Sequence, residues 1–266
     1  MKNNQKDTSP LITVAMPIFN AGEYLVDAVN SIIAQTYANW ELYVIDDGSK
    51  DNAIDSIKLI KDERIKILKD GFNKGLAARL NQAIDLANGQ YFARMDQDDI
   101  SMPERFKMQI DALEANSNLD LVATRTSTIN SKNQTIGQLP FVSTHQQICS
   151  KPWQGFYMPH PAWFGRIDWF RKYRYASPAP YFCEDQELLL RTYKQSQFAC
   201  IEQVLLQYRI RDSINLSKSL KTRLAVLKCQ LKAFGYDEMA FKGFAIAVFV
   251  LRVLKDIFRK LTEITK

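Results

Sequence analysis

Apolar and polar positions change period several times along the first half of this chain. Ile12-Thr13-Val14-Ala15-Met16 is an apolar, β-prone run ended by Pro17, and Glu41-Leu42-Tyr43-Val44-Ile45 is a second, stopped by Asp46-Asp47-Gly48-Ser49. Between them, from Ala21 to Gln35, Tyr24, Leu25, Ala28, Ile32 and Ile33 recur at three and four, the spacing of one helix face. A further helix is predicted from about Asp51 to Lys61, a third strand over Arg64 to Leu68, and a helix over Leu76 to Ala87. Gly89 resets the chain into a fourth, half-buried strand that ends at Arg94. Strands alternating with helices predict an α/β fold, a mostly parallel Rossmann-like sheet with helices on both faces. Such sheets bind ligands at the carboxyl ends of their strands. The polar clusters fall there: Pro17-Ile18-Phe19-Asn20, Asp46-Asp47-Gly48-Ser49 and Asp96-Gln97-Asp98-Asp99.

After about Leu119 the pattern changes. Leu119 to Thr124 predicts a strand, Thr126 to Phe141 a turn-rich hairpin, Glu184 to Tyr193 a helix and Gln203 to Ile210 a strand. Trp153 to Tyr181 mixes aromatics with Gly and Pro, which suits a binding-site wall built from loops. Near the end, Lys242, Arg252, Lys255, Asp256, Arg259, Lys260 and Glu263 project onto one arc of a helix, and apolar residues fill the wide remainder. The apolar run Gly243 to Leu251 is too short to span a bilayer, which takes roughly 20 residues. A helix lying in a membrane interface fits this pattern, and packing on its own domain or on a second copy is the alternative.

Composition sharpens the picture in two places. The formal net charge is +6, but Gln207 to Lys266 holds 13 Lys+Arg against 5 Asp+Glu, a net of +8, which leaves −2 for everything before it. The basic segment therefore faces something anionic, such as cytoplasmic lipid, and the body of the chain is no nucleic-acid binder. Cys149, Cys183, Cys200 and Cys229 show no CxxC spacing and no zinc-type Cys/His pattern, His145 standing alone four residues before Cys149, so they read as reduced packing residues. The polar start, 1–10, lacks an apolar leader and reads as disordered. Together these features predict a cytoplasmic protein, peripheral on the cytoplasmic face of the membrane. The expected organisation is a domain over 11–213, split into halves 11–125 and 126–213, followed by a basic helical segment over 214–266.

The candidate chemistry is carboxylate-rich. Asp96, Asp98 and Asp99 repel one another unless a cation neutralises them; a divalent ion bridging to a phosphorylated ligand would do so. The alternative is an acidic loop in which Asp99 caps the helix starting at Met102-Pro103-Glu104-Arg105. Asp46-Asp47-Gly48-Ser49 is either a turn with Ser49 as a helix cap or a carboxylate accepting from a nucleoside imide N–H and ribose hydroxyls. Glu184-Asp185 is either a pair of acids favourable to a helix dipole or a general base. His160, between two prolines, sits in a surface turn or at the site, and His145 reads as surface.

Taken in order, Pro17-Ile18-Phe19-Asn20, Val44 to Ser49, Asn73 to Asn81, Arg94 to Asp99, Pro103-Glu104-Arg105-Phe106 with Gln109, and Cys183-Glu184-Asp185 resemble family 2 glycosyltransferases of the GT-A fold, of the bacterial surface-polysaccharide type. The resemblance spans about Thr13 to Arg211. It implies an inverting transferase that uses a nucleoside-diphosphate sugar, most often of UDP, with Mg²⁺ or Mn²⁺. By motif position, Asp46 or Asp47 is the nucleoside-binding carboxylate, Asp98 the principal metal ligand and Asp96 a donor-binding and second metal residue. Asp185 is the base, with Glu184 the runner-up. Pro17, Phe19, Asn20, Asn81, Arg94, His160 and Arg211 complete the donor set; where Arg211 stands the family commonly has His, and Arg can pair with phosphate. The implied acceptor is a glycan or lipid-linked saccharide, with a homodimer left open. The rivals are a non-catalytic assembly protein of this fold and a sugar nucleotidyltransferase. The latter opens with a Gly-rich loop that is absent after the first strand here.

Overall fold

The computed structural model describes residues 9–210 and 215–264. Its first half alternates β1 (Ile12–Ile18), α1 (Tyr24–Ile33), β2 (Trp40–Asp46), α2 (Ala53–Ile57), β3 (Ile65–Lys69), α3 (Leu76–Leu86) and β4 (Tyr91–Arg94). Parallel pairing places these strands in the order β3-β2-β1-β4. The connections from β1 to β2 and from β2 to β3 step one way across the sheet, and that from β3 to β4 steps back. Right-handed crossovers therefore put α1 and α2 on one face and α3 on the other. The order reverses between β1 and β4, so a crevice opens at their carboxyl ends.

Three readings of this half change in the structure. The first strand does not stop at Pro17: β1 runs through it, with Pro17 opposite Ile45. Ala15 O accepts from Met95 N on the β4 side, and alternate residues point the same way. The N–H that Pro17 lacks thus falls beyond the last β1–β4 pair, where no ladder bond is lost. β4 is buried along its whole length rather than half-buried, because β1 and β8 (Phe164–Arg166) flank it. α2 is only five residues long.

The second half closes the sheet. β5 (Ile100–Ser101), α4 (Arg105–Ala115), β6 (Leu121–Ile129), β7 (Thr135–Gln138), α5 (His145–Ile148), β8, α6 (Ile167–Lys172), α7 (Glu184–Thr192) and β9 (Phe198–Arg209) follow. The sheet continues β4-β8-β6-β9-β5, with β7 folded back on β6 as the expected hairpin. The long β9 is parallel to β6, antiparallel to β5, and ends beside the acidic loop. The aromatic stretch is only partly a site wall. Trp163, Phe164, Trp169, Phe170 and Tyr175 are core residues, whereas Phe156 to Pro161 face a cleft. His145 is not plain surface either: its Nδ1 accepts from Phe198 N at 3.2 Å. All four cysteines are free thiols.

α8 (Leu216–Ala233) and α9 (Met239–Ile264) form a hairpin against the domain. Asn215 Oδ1 accepts from Lys218 N and caps α8. The rings of Phe241 and Phe244 pack on Trp153 at 4.6 and 5.2 Å.

Candidate active site

Two clefts of about 580 and 400 Å³ open side by side at the carboxyl ends of β1 and β4. Pro17, Phe19, Asp47, Leu76, Asp96, Asp98, Arg209 and Lys218 are among the residues that line the larger one. Arg94, Asp96, Phe156, His160, Glu184 and Asp185 are among those of the smaller. Asp96 and Tyr208 belong to both, so the two spaces meet there.

The acidic loop gets its shape from partners far along the chain. Gln97 Oε1 accepts from Phe19 N at 2.6 Å and Gln97 Nε2 donates to Phe19 O at 3.2 Å, which ties the loop to the end of β1. Arg209 Nε donates to Asp98 O at 2.8 Å, and Arg209 N donates to Asp99 Oδ1 at 2.9 Å. The Arg209 guanidinium also donates to Asn130 O and Asn133 Oδ1, both at 2.6 Å, and stacks on Tyr24. Asp99 is thus a buried strut and not the cap of α4, whose first residue is preceded by Glu104 without a side-chain cap. Burial, then the neighbouring Asp96 carboxylate, hold Asp99 well above the ordinary carboxylate range.

The two acids after β2 have different jobs. Asp46 is fully buried; its Oδ1 accepts from Ser49 N at 2.9 Å, and it does not line the larger cleft. Asp47 lines the cleft and accepts from Lys74 N at 2.7 Å, Gly75 N at 3.0 Å and Arg79 Nε at 2.9 Å, which pins the start of α3. Ser49 caps no helix; its hydroxyl accepts from Asn20 N. Asn20 has a left-handed backbone, φ 49°, and its Oδ1 accepts from Lys50 N. Asn20 therefore braces the two loops and does not line the cleft. Asn81 departs further from expectation. It donates to Tyr175 O and accepts from Tyr175 N, so it holds the 174–175 segment away from the donor side. Arg211 lies outside the described residues.

In the smaller cleft Arg94 is the central cation. It is 3% exposed, and its Nη1 stands 2.6 Å from Asp96 Oδ2. Nη1 is thus taken by Asp96, while Nε has no hydrogen-bond partner, so one donor remains where an anion could enter. Burial works against its charge, yet Asp96 keeps its pKa above the usual arginine value. Glu184 and Asp185 begin α7 on the opposite wall. Burial, then Asp185, push the Glu184 carboxyl up to about 7. Asp185 is also raised by burial, against Gln186, whose Nε2 donates to Asp185 Oδ2 at 3.2 Å. Gln186 Oε1 in turn accepts from Phe156 N, fixing the cleft wall. His160 is buried, not a surface turn. Its Nε2 lies 2.8 Å from Tyr175 Oη, and its Nδ1 lies 3.6 Å from Glu184 Oε1, too far for a hydrogen bond. Burial, then Arg94, hold His160 well below its ordinary value, so it is neutral at physiological pH.

A stability prediction follows from Glu184. Its folded-state value of about 7 exceeds the ordinary 4.5. Below about 4.5 both states are protonated and the site costs nothing. As pH rises from 4.5 to 7 the unfolded state ionises first, so stability falls, and above 7 the full cost applies. In the nucleotide-free protein, Glu184→Gln raises unfolding stability at pH 8 by on the order of 2–3 kcal/mol and leaves it unchanged at pH 4. Denaturant melts at the two pH values check this; an equal gain at both would remove the titration argument.

Among the described residues no three His, Cys, Asp or Glu side chains gather closely enough to cage an ion. Asp96 and Asp98 nevertheless line one cleft. Magnesium-like ions keep several waters and take one or two carboxylates plus substrate phosphates. The donor set therefore fits a cation that arrives with a diphosphate, not a resident one. Sequence reasoning missed Tyr175, Gln186 and the bracing role of Arg209. Tyr208-Arg209 was the one signal present, as a pair at the end of a strand.

The model of the family described as "Glycosyl transferase family 2" matches residues 13–174. A relative from Escherichia coli, "UDP-Glc:alpha-D-GlcNAc-diphosphoundecaprenol beta-1,3-glucosyltransferase WfgD", is 38% identical over 107 residues, 40% of this chain and 42% of that protein. The chain thus spans less than half the length of the first curated relatives it matches. Among solved structures, Staphylococcus aureus TarS 1–349 in complex with UDP-GlcNAc superposes with a TM-score of 0.66 at 15% identity, over 91% of this chain and 71% of that one. The mannosyltransferase PcManGT from Pyrobaculum calidifontis, in complex with GDP-Man and Mn²⁺, gives 0.64 at 13% identity, over 91% and 76%. At these identities the two structures show that the fold is shared.

Proposed function

Because this chain belongs to glycosyl transferase family 2, we propose that it moves a sugar from a nucleoside-diphosphate donor, a UDP-sugar, to a saccharide or lipid-linked saccharide acceptor with inversion. The observation that carries this reading is the junction of the two clefts at Asp96, with Asp98 on one side and Asp185 on the other. The donor lies in the larger cleft against Pro17, Phe19 and Asp47, in the sheet crevice where nucleotides bind such folds. The acceptor enters the smaller cleft. A hydroxyl entering from there would approach from the Asp185 side, across Asp96 from the donor cleft, an arrangement that suits inversion.

Asp98 and Asp96 would hold Mg²⁺ or Mn²⁺, whose chemistry there is to offset the charge that grows on the leaving diphosphate. Asp185 accepts the acceptor proton as the new glycosidic bond forms and the bond to the diphosphate oxygen breaks. Gln186 aims the Asp185 carboxylate, and Arg94 keeps it and Glu184 from rising further. In this reading 11–125 is mainly the donor side, 126–213 mainly the acceptor side, and 214–266 a basic helical segment packed on both, with Lys218 at the donor cleft. The UDP and lipid-linked assignments take support from the TarS complex with UDP-GlcNAc and from the printed activity of WfgD. A lipid-linked acceptor lies at a bilayer, so peripheral attachment at the cytoplasmic face belongs to the same reading.

Calorimetry with UDP, dTDP and GDP, each with and without Mn²⁺, tests it. UDP binds in a metal-dependent way, and Asp98→Ala weakens that binding by at least about tenfold, the loss of one charged contact. No binding of any of the three nucleotides would favour the non-catalytic rival.

A further inference from the structure

α9 is mounted the wrong way round for a helix in water. Its polar arc is turned toward the protein: Asp256 accepts from Ser219 Oγ at 2.5 Å and from Arg223 Nε and Nη2 at 2.6 and 2.7 Å. Arg252 Nη2 donates to Gln154 O at 2.8 Å on the same side. Ala245, about two turns before Arg252 and three before Asp256 on that arc, is buried. The opposite arc holds Ile246, Val250, Leu251, Leu254, Ile257 and Phe258, all exposed, with Leu251 at 66% and Phe258 at 70%. At 100° per residue these six fall within about 140° and include no charged side chain. The two alternatives for this helix are thus not exclusive. Its polar arc packs on its own domain, and that packing is what presents the apolar arc outward.

We infer that this face docks on the surface of an anionic bilayer, with α9 lying in the plane of the interface. Three observations select that occupant. No described helix is long and apolar enough to cross a membrane, so the apolar face can enter only the interfacial layer. Lys242 and Lys255 border the apolar arc on its two sides, each about 40° beyond it at 100° per residue. Asp256 and Glu238 are paired with Arg223 and Lys194, and the exposed Asp237 lies before the start of α9, so the charge that flanks the apolar arc itself is that of Lys242 and Lys255. A second copy would bring an equally basic rim against this one, which opposes self-association, whereas anionic headgroups complement it. The Asp256 clamp fixes which way the helix faces.

The full-length protein is sedimented with vesicles of phosphatidylcholine alone and with vesicles that also contain phosphatidylglycerol. It binds the anionic vesicles at least tenfold more tightly, and raised salt weakens that preference. Leu251→Asp, Leu254→Asp and Phe258→Asp together abolish binding without lowering the melting temperature, since all three side chains are exposed. Lys242→Glu with Lys255→Glu removes the preference for anionic vesicles. Unchanged vesicle binding by the triple Asp variant overturns the inference. So does a wild-type dimer in ultracentrifugation that the same variant dissociates, with no vesicle binding by the wild type. The readout needs no sugar transfer, so its failure leaves the nucleotide-sugar reading standing.

Discussion

Asp185→Asn lowers glycosyl transfer by about 10²–10⁴-fold, the usual contribution of a positioned base, and leaves UDP affinity nearly unchanged. The asymmetry arises because Asp185 lines the smaller cleft and not the larger. Asparagine keeps the size of the side chain and its contact with Gln186, but it cannot take the acceptor proton. Single-turnover rates beside nucleotide calorimetry measure both quantities, and turnover at the wild-type rate would return the role of base to Glu184. The pH profile carries a second mark. Burial raises Asp185 above its ordinary 3.8 and Glu184 to about 7. A base must be ionised to act, so the acidic limb of kcat lies above the range of an exposed aspartate, and activity is lost as pH falls through it.

Arg94→Ala costs about 3–5 kcal/mol of folding stability, the penalty for leaving buried charge without its partner. Arg94 is 3% exposed and sits 2.6 Å from Asp96 Oδ2. Its charge also lowers the pKa of Asp99, Glu184 and Asp185. Removing it leaves a buried acid cluster that escapes by protonation, so the variant is relatively more stable at low pH. Urea melts at pH 5 and pH 8 test this. Arg94→Lys, which keeps the charge but loses the planar fork, should recover part of the stability and little of the activity. A loss under about 1 kcal/mol for Arg94→Ala would mean that the acids are already neutral.

The parts of this site that could be read in advance share one property. Asp96 and Asp98 at the end of a buried strand, Asp47 in an Asp-Asp-Gly-Ser turn, and Glu184-Asp185 at a helix start are marked by residues within five positions of themselves. Asp46 and Asp47 have the same local signature, and only the β2–α3 approach separates them. Lys74 N, Gly75 N and Arg79 close on Asp47, while Asp46 turns back to Ser49. Asn81 has the spacing of a site residue, yet its partner is Tyr175, 94 positions away. Nothing near Gln186 in the chain reveals that it bridges Phe156 to Asp185.

Periodicity alone was enough to establish the alternating parallel half, the carboxyl-end location of the acids and the wide apolar arc of the last helix. These depend on side-chain spacing along one element, which the chain carries locally. Pairing of β4 with β8, of β6 with β9 and of β5 with β9 was needed to bring residues 94–98, 156–160, 184–185 and 208–209 around one point. Which arc of α9 faces outward was likewise set by Arg223 and Ser219 gripping Asp256 from another helix. Contacts of that range depend on strand order and helix docking, where many distant residues must be satisfied at once.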